Sequence, residues 1–367
     1  MLDAVLRILR LDSLDVLADE KCRRSLRRYF GILEEERKAQ FLVSRVLKVD
    51  YSEDSDDIAL WRVHEAFTNE YVKFLSEIDR GTVSYKDEMR PEKSYFDLKI
   101  ALAQRIMRQC HFCFRACGVD RTTGGRGYCK CGKEVVISSA FDHWGEEPEL
   151  VPSGTIFTCG CTMTCLHCQN YSISQWMEDG TRASAEDLAR IVERLHARGC
   201  RNANLVGGDP TPWLEAWLRA FEIVSVNVPV VWNSNTYYSE ETAKLLPGFA
   251  DVYLLDFKYG PGDCAERISN APHYWDMCAR NHLIANRYGE IIIRVLVLPG
   301  HVECCTRPIL EWISKNLGPG TRVNVMFQYR PEWRADEVPE LRKQLTAEEK
   351  KRSLELAREA GLENLAA

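Results

Sequence analysis

From residue 155 onward the chain alternates short β-rich apolar runs with helical ones. That alternation narrows the fold more than any other feature. The runs are "TIFT" (155–158), "NANLV" (202–206), "PVVWN" (229–233), "DVYLLDF" (251–257), "EIIIRVLVL" (290–298) and "TRVNVMF" (321–327). Between the first two lies "SAEDLARIVERLHARG", which opens on Ser184 with Asp187 three residues on and closes on Gly199. This is a capping box at one end and a helix-stopping glycine at the other. Repeated β–α units imply a parallel sheet with right-handed crossovers. Six of them predict an α/β fold, a partial (β/α)6 barrel over 151–340, whose active site lies at the C-terminal ends of the strands.

The flanks read differently. Residues 1–105 are helical, with an apolar stripe through Leu26, Tyr29, Phe30, Leu33, Phe41 and Leu42. Residues 106–150 form a cysteine-rich segment, and 341–367 hold a final surface helix. The opening "MLDAVLRILRLDSLDVL" is broken by Asp3, Arg7, Arg10 and Asp12, so it reads as an amphipathic helix and not an export signal. No run reaches the roughly 18 apolar residues of a membrane helix. A net charge of -6 argues against an extended nucleic-acid surface. The expected compartment is the cytoplasm, where thiols stay reduced, so the 15 cysteines point to metal and not to disulfides.

Directly after "TIFT", Cys161, Cys165 and Cys168 form C-x3-C-x2-C. A compact loop can wrap three thiolates around a four-iron cubane and leave one iron open to a ligand. Cys159 falls outside the triplet and reads as a small buried hydrophobe. A zinc knuckle made from Cys159, Cys161, Cys165 and either Cys168 or His167 is the other reading of the same stretch.

The spacing and its place after the first strand resemble the radical S-adenosylmethionine (SAM) superfamily. "SGTIFTCGCTMTCLHCQNYSIS", "PVVWNSNTYYSEETAKLLPGFADVYLLDFKY", "NAPHYWDM", "IIIRVLVLPG", "VNVMFQYRP" and the upstream "CHFCFRACGVDRTTGGRGYC" with "HWGEEPELVPSGT" resemble the proteins related to pyruvate formate-lyase activating enzyme. The resemblance covers 110 to about 335. It implies a 4Fe-4S cluster on Cys161, Cys165 and Cys168, whose open iron holds SAM. The cluster's electron then cleaves SAM to a 5′-deoxyadenosyl radical, which abstracts a hydrogen atom. It also implies a SAM site from Gly207, Gly208 and Asp209 for the amino group, and from Asn233, Ser234 and Asn235 for the ribose or carboxylate. Asp256 and Lys258 would lie near the SAM carboxylate or a cation. Arg294, charged within an apolar strand, must meet an anion, either the SAM carboxylate or a structural acid. Two departures mark a distinct subgroup: His167 precedes the third cysteine where an aromatic residue is usual, and "NLVGGDPTP" replaces N-x-V-T-P-T-H.

A second group, Cys110, Cys113, Cys117, Cys129 and Cys131, precedes the barrel. It offers a closed zinc site, a second cluster, or unligated thiols near the barrel mouth. His143 is expected at the same mouth as a structural histidine. Cys304 and Cys305 follow the fifth strand and read as inert thiols on the active-site face.

Three activities follow from the resemblance. One is activation of a glycyl-radical enzyme, although the ferredoxin-type insert of many such activases is absent. The second is cobalamin-dependent methylation of a carbon, with the N-terminal helices helping to cap the corrinoid; its specific form would be C-methylation of a glutamine in methyl-coenzyme M reductase. The third is an iron–sulfur scaffold without SAM chemistry, which the "GGDP" and "DFK" motifs argue against. Expected partners are a protein or peptide substrate and a reductant protein, with no nucleic acid and no membrane.

Overall fold

The computed structural model describes residues 10–86, 90–178 and 180–366. One sheet carries nine strands: β1 Val135–His143, β2 Ser153–Thr158, β3 Thr181–Ala183, β4 Ala203–Gly207, β5 Val230–Ser234, β6 Val252–Asp256, β7 Glu290–Leu296, β8 Arg322–Met326 and β9 Asn364–Leu365. Their order is β3-β1-β2-β4-β5-β6-β7-β8-β9. The six β-rich runs are β2 and β4 to β8, and each pairs in parallel with the next. Strands buried on both faces need no polar alternation, which is why these runs read as continuous apolar stretches. The linear order leaves β3 and β9 as edges, so the barrel is partial.

Strand β1 lies in the cysteine-rich segment and had no counterpart in the sequence reading. It pairs antiparallel with β2, and the register slips between Ile137 and Ser139. Such a bulge breaks the alternation from which a strand is recognised. His143, at the end of β1, pairs with Ser153 at the start of β2. It therefore sits at the end of the barrel opposite the predicted mouth.

The predicted opening helix falls mostly on residues 1–9, outside those described. Short helices follow at Asp12–Asp15, Glu20–Ser25, Arg27–Leu33 and Gln40–Val46, then longer ones at Asp57–Asp79 and Tyr95–Arg108. Val16, Cys22, Leu26, Tyr29 and Phe30 share an apolar cluster with Leu150, Val231, Val252, Leu254 and Ile292. Arg28 joins Asp79 at 2.8 Å and Asp251, just before β6, at 3.1 Å. These contacts seat the first helices under the N-terminal ends of the strands. The expectation that the N-terminal helices help cap a corrinoid is not met by these first ones, whose Leu26, Tyr29 and Phe30 pack against the barrel floor. Among the described residues no helix is long and apolar enough to cross a membrane.

Candidate functional site at the strand C-terminal ends

Cys161, Cys165 and Cys168 stand in the loop after β2 and form one wall of a cavity of about 220 Å³. The loop is fixed from outside: the Thr164 and Leu166 amides donate to the Ser269 and Ile268 carbonyls at 3.2 and 2.9 Å. Cys161 Sγ accepts from the Met163 amide and from Asn235 Nδ2, both at 3.4 Å. Cys168 Sγ lies 3.2 Å from Ser174 Oγ. Burial pushes all three thiols up, Cys165 to about 11. Ligation by a cation is what would turn such buried thiols into thiolates.

The facing wall comes from the tips of successive strands. Gly207 and Gly208 end β4, Asn233, Ser234 and Asn235 end β5, and Asp256 and Lys258 end β6. Gly207 has φ of 134°, and a side chain on Gly208 would meet the Gly160 carbonyl at 2.1 Å, so glycine is required for the β4 tip to approach the cysteine loop. Lys258 forms an ion pair with Asp256. Burial pulls Lys258 down, but Asp256 and the nearby Cys165 and Cys161 outweigh it and hold the ammonium above its usual value. The wall thus presents a carboxylate, an ammonium and amides to the space beside the thiols.

Two predicted residues make structural contacts of their own. Asp209 is buried outside the cavity lining, where it accepts from Ser234 Oγ and the Asn235 and Thr211 amides. Arg294 lines the cavity, but its anion is structural: Nε and Nη2 reach Glu147 at 2.7 Å each, and Nη2 also pairs with Glu146. Its Nη1 donates to Asn233 Oδ1 at 3.1 Å, and Asn324 Nδ2 donates to Glu147 at 2.9 Å. Glu146 and Glu147, which the sequence reading overlooked, therefore build a charged layer beneath the cavity. Burial raises Glu146, but Arg294 and His143 hold it well below the usual carboxylate range. His143 Nδ1 lies 3.2 Å from Glu146, which makes it a structural histidine.

His167 is buried with Nε2 3.0 Å from the Tyr259 hydroxyl. Burial, helped by Lys258, lowers it to about 4, so the ring is neutral. Cys159 is buried, with Sγ 3.9 Å from the Glu178 carbonyl. Among the described residues, the atoms of the alternative knuckle do not gather within the 4.8 Å span of a single-ion group. The triplet itself is spread more widely than one ion requires, as a cubane demands.

Asn233 Nδ2 is buried without a hydrogen-bond partner and belongs to the cavity wall. An unpaired buried donor costs about 1–3 kcal/mol unless a ligand meets it. Three convergent thiols, a carboxylate–ammonium pair and an orphaned amide fit a three-thiolate cluster beside a zwitterionic ligand. A larger groove of about 810 Å³, lined by residues such as Gln104, Lys133, Arg182 and Asp187, has no cysteine in its lining.

The model of the radical SAM superfamily matches residues 155–313, from the strand before the cysteine loop to the helix after β7. The chain belongs to the radical SAM superfamily. This radical SAM protein is 41% identical over 345 residues to the uncharacterized protein MJ0674 of Methanocaldococcus jannaschii, covering 92% of this chain and 98% of that one. It is 24% identical over 251 residues to the uncharacterized protein MJ0808 of the same organism, covering 63% and 73%. Among solved structures it is similar to SuiB of Streptococcus suis, bound there to the precursor peptide SuiA. That match has a TM-score of 0.40 and 13% identity over 82% of this chain, which spans about three fifths (61%) of the SuiB chain. Membership of the superfamily implies an enzyme with a 4Fe-4S cluster and SAM.

The second cysteine group packs beside the first. Cys131 Sγ contacts the carbonyls of Cys129 and Cys159 at 3.4 and 3.7 Å, and Cys113 bridges to Tyr238 past the tip of β5. Cys110, Cys129 and Cys131 are buried, Cys113 is partly so and Cys117 is exposed. The bond from Cys131 outweighs burial and, with the Arg121 charge, lowers Cys129 to about 6. No three of these sulfurs gather within 4.8 Å, in contrast to the group at Cys304 and Cys305 described below.

Proposed function

We propose that this radical SAM enzyme abstracts a hydrogen atom from a C–H bond of a protein or peptide. Cys161, Cys165 and Cys168 would hold the cluster, while the tips of β4, β5 and β6 would hold SAM. When bound, the cluster supplies the electron that cleaves SAM and releases methionine. Asp256 and Lys258 would orient the zwitterionic end, Asn233 Nδ2 would donate to it, and the glycine pair would let it lie close to the backbone.

The observation that supports a macromolecular substrate is an aromatic cluster at the rim. Tyr171 stacks on Trp333 with centroids 4.4 Å apart, and Trp176 meets both edge-on at 4.8 and 4.6 Å. Trp176 is 46% exposed. The cluster joins the segment after Cys168 to the loop after β8: Gln169 Nε2 donates to the Gln328 carbonyl at 3.3 Å, and the Arg334 amide to Leu166 at 2.9 Å. Exposed aromatic groups beside a polar cleft suit protein recognition.

The finer reading is methyl transfer from cobalamin to the substrate carbon, in its most specific form to a glutamine of methyl-coenzyme M reductase. With the first helices under the barrel, a corrinoid would have to approach through the open mouth. Activation of a glycyl-radical enzyme is the alternative. Either requires a reductant protein. The test is an anaerobic preparation with reconstituted cluster, SAM, dithionite and cobalamin. Corrinoid that stays with the protein through gel filtration supports methyl transfer. 5′-Deoxyadenosine without retained corrinoid favours the activase, and no SAM cleavage defeats the proposal.

A further inference from the structure

Outside the cavity, four ligand-bearing side chains meet between the loops after β6 and β7. Cys264 opens the helix Cys264–Ser269, and His301, Cys304 and Cys305 belong to the segment around the π-helical turn Val302–Thr306. Their ligand atoms all lie within 4.8 Å of one another. Cys264 Sγ is 3.5 Å from His301 Nδ1 and 4.0 Å from Cys304 Sγ. Cys304 Sγ is 3.4 Å from His301 Nδ1 and 3.9 Å from Cys305 Sγ.

Zinc bonds of about 2.3 Å to sulfur and about 2.0–2.1 Å to nitrogen give a regular tetrahedron with edges of about 3.8 Å between sulfurs and about 3.6 Å between sulfur and nitrogen. The four distances match those edges to within about 0.2 Å. We propose that Cys264, His301, Cys304 and Cys305 hold a structural zinc ion. Four protein ligands close the coordination sphere, so the site has no open position for substrate.

The surroundings agree with this assignment. His301 Nε2, on the far side of the ring from the thiols, lies 3.4 Å from Glu340 Oε1, and Glu340 in turn pairs with Arg267 at 2.8 Å. A metal-bound histidine commonly directs its second ring nitrogen at a carboxylate, which fixes tautomer and orientation. Gly260 shows how near the two loops come: a side chain there would lie 2.1 Å from the Cys304 carbonyl. The neighbouring Tyr259 holds His167 beside the cluster cysteines. The ion would therefore tie together two loops that bound the mouth, independently of whether the cavity binds SAM.

The experiment is zinc analysis and zinc-edge X-ray absorption on the full chain, purified anaerobically with reconstituted cluster. A Cys110→Ser/Cys113→Ser/Cys129→Ser variant removes any zinc held by the second cysteine group. In that background about one zinc per chain is expected, with three sulfurs near 2.3 Å and one nitrogen near 2.0–2.1 Å. Adding Cys264→Ser and Cys304→Ser should lower zinc about tenfold or more while the cluster absorption stays. Zinc retained in that variant, a Cys264–Cys304 disulfide found by alkylation and mass spectrometry, or iron at the site would each overturn the assignment. If that background fails to fold, Cys264→Ser/Cys304→Ser in the otherwise unmutated chain should still lose about one zinc per chain and the nitrogen contribution to the zinc-edge spectrum, and an unchanged zinc content and spectrum would overturn the assignment.

Discussion

Asp209 supports Asn235 from behind the cavity. Its Oδ1 accepts from the Asn235 amide at 3.1 Å and from Ser234 Oγ at 2.8 Å, while Oδ2 accepts from the Thr211 amide at 3.2 Å. One buried carboxylate thus fixes the tip of β5 against the turn after β4. Asp209→Ala would leave three buried donors unmet, at about 1–3 kcal/mol each before relaxation. If the strand tips hold SAM, loosening the tip of β5 should raise its dissociation constant about tenfold, equivalent to about 1.4 kcal/mol of lost binding. Equilibrium dialysis with the iron content measured in parallel checks this. Unchanged affinity with intact cluster would remove Asp209 from the positioning of the site.

The cysteine triplet makes a sharper prediction. Replacing Cys161, Cys165 or Cys168 by alanine should abolish the 4Fe-4S absorption and reductive SAM cleavage, because three thiolates are the protein's whole contribution to such a cluster. Cys159→Ala should keep both, since that side chain is buried outside the cavity lining. Iron assay and 5′-deoxyadenosine analysis of the four variants would expose a ligand set that includes Cys159.

What was legible beforehand was local. Six strands were visible because central parallel strands bury both faces, and the cysteine triplet because its spacing lies within one loop. Contacts between distant segments were not. Glu147 lies 147 positions from Arg294, so nothing in the strand "IIIRVLVL" told which anion its arginine meets. Cys264 lies 37 positions from His301, and adjacent Cys304 and Cys305 match no familiar ligand spacing. The stripe Leu26, Tyr29 and Phe30 marked a packed helix but carried no information on which end of the barrel it covers. Strand β1 was hidden by its bulge at Ile137 and Ser139.

The charged layer under the cavity predicts an unusual pH response. Arg294→Met would leave Glu146 and Glu147 buried without their cation, a loss of about 3–5 kcal/mol. In the unmutated protein Glu146 is held below its unfolded value, so its stabilisation is complete above about pH 4.5 and is lost only as the solution becomes more acid. In the variant Glu146 loses the cation that holds it down and should move above its unfolded value, so the variant's stability relative to the parent should improve as pH falls from 8 to about 5. Urea unfolding of both proteins across that range should show the variant's deficit relative to the parent narrowing as pH falls. Parallel curves would show that the carboxylates find another partner.

Lys99 is the least compensated cation in the N-terminal helices. It is fully buried, donates to His64 Nε2 at 3.1 Å and lies 4.1 Å above the Tyr95 ring. Burial drives the ammonium well below its ordinary value, and burial together with Lys99 does the same to His64. A lysine whose folded value is lowered binds its proton more tightly when unfolded, so stability rises with pH until the unfolded value near 10.4 is reached. Lys99→Met, similar in length and without charge, should therefore stabilise the protein at pH 7 by about 1–2 kcal/mol. The advantage should shrink by on the order of 1 kcal/mol per pH unit once the folded lysine is neutral. Thermal or urea unfolding of both proteins at pH 7, 8.5 and 10 tests the sign directly. A variant that is less stable at pH 7, or an advantage that grows with pH, would mean that the His64 and Tyr95 contacts outweigh the burial of the charge.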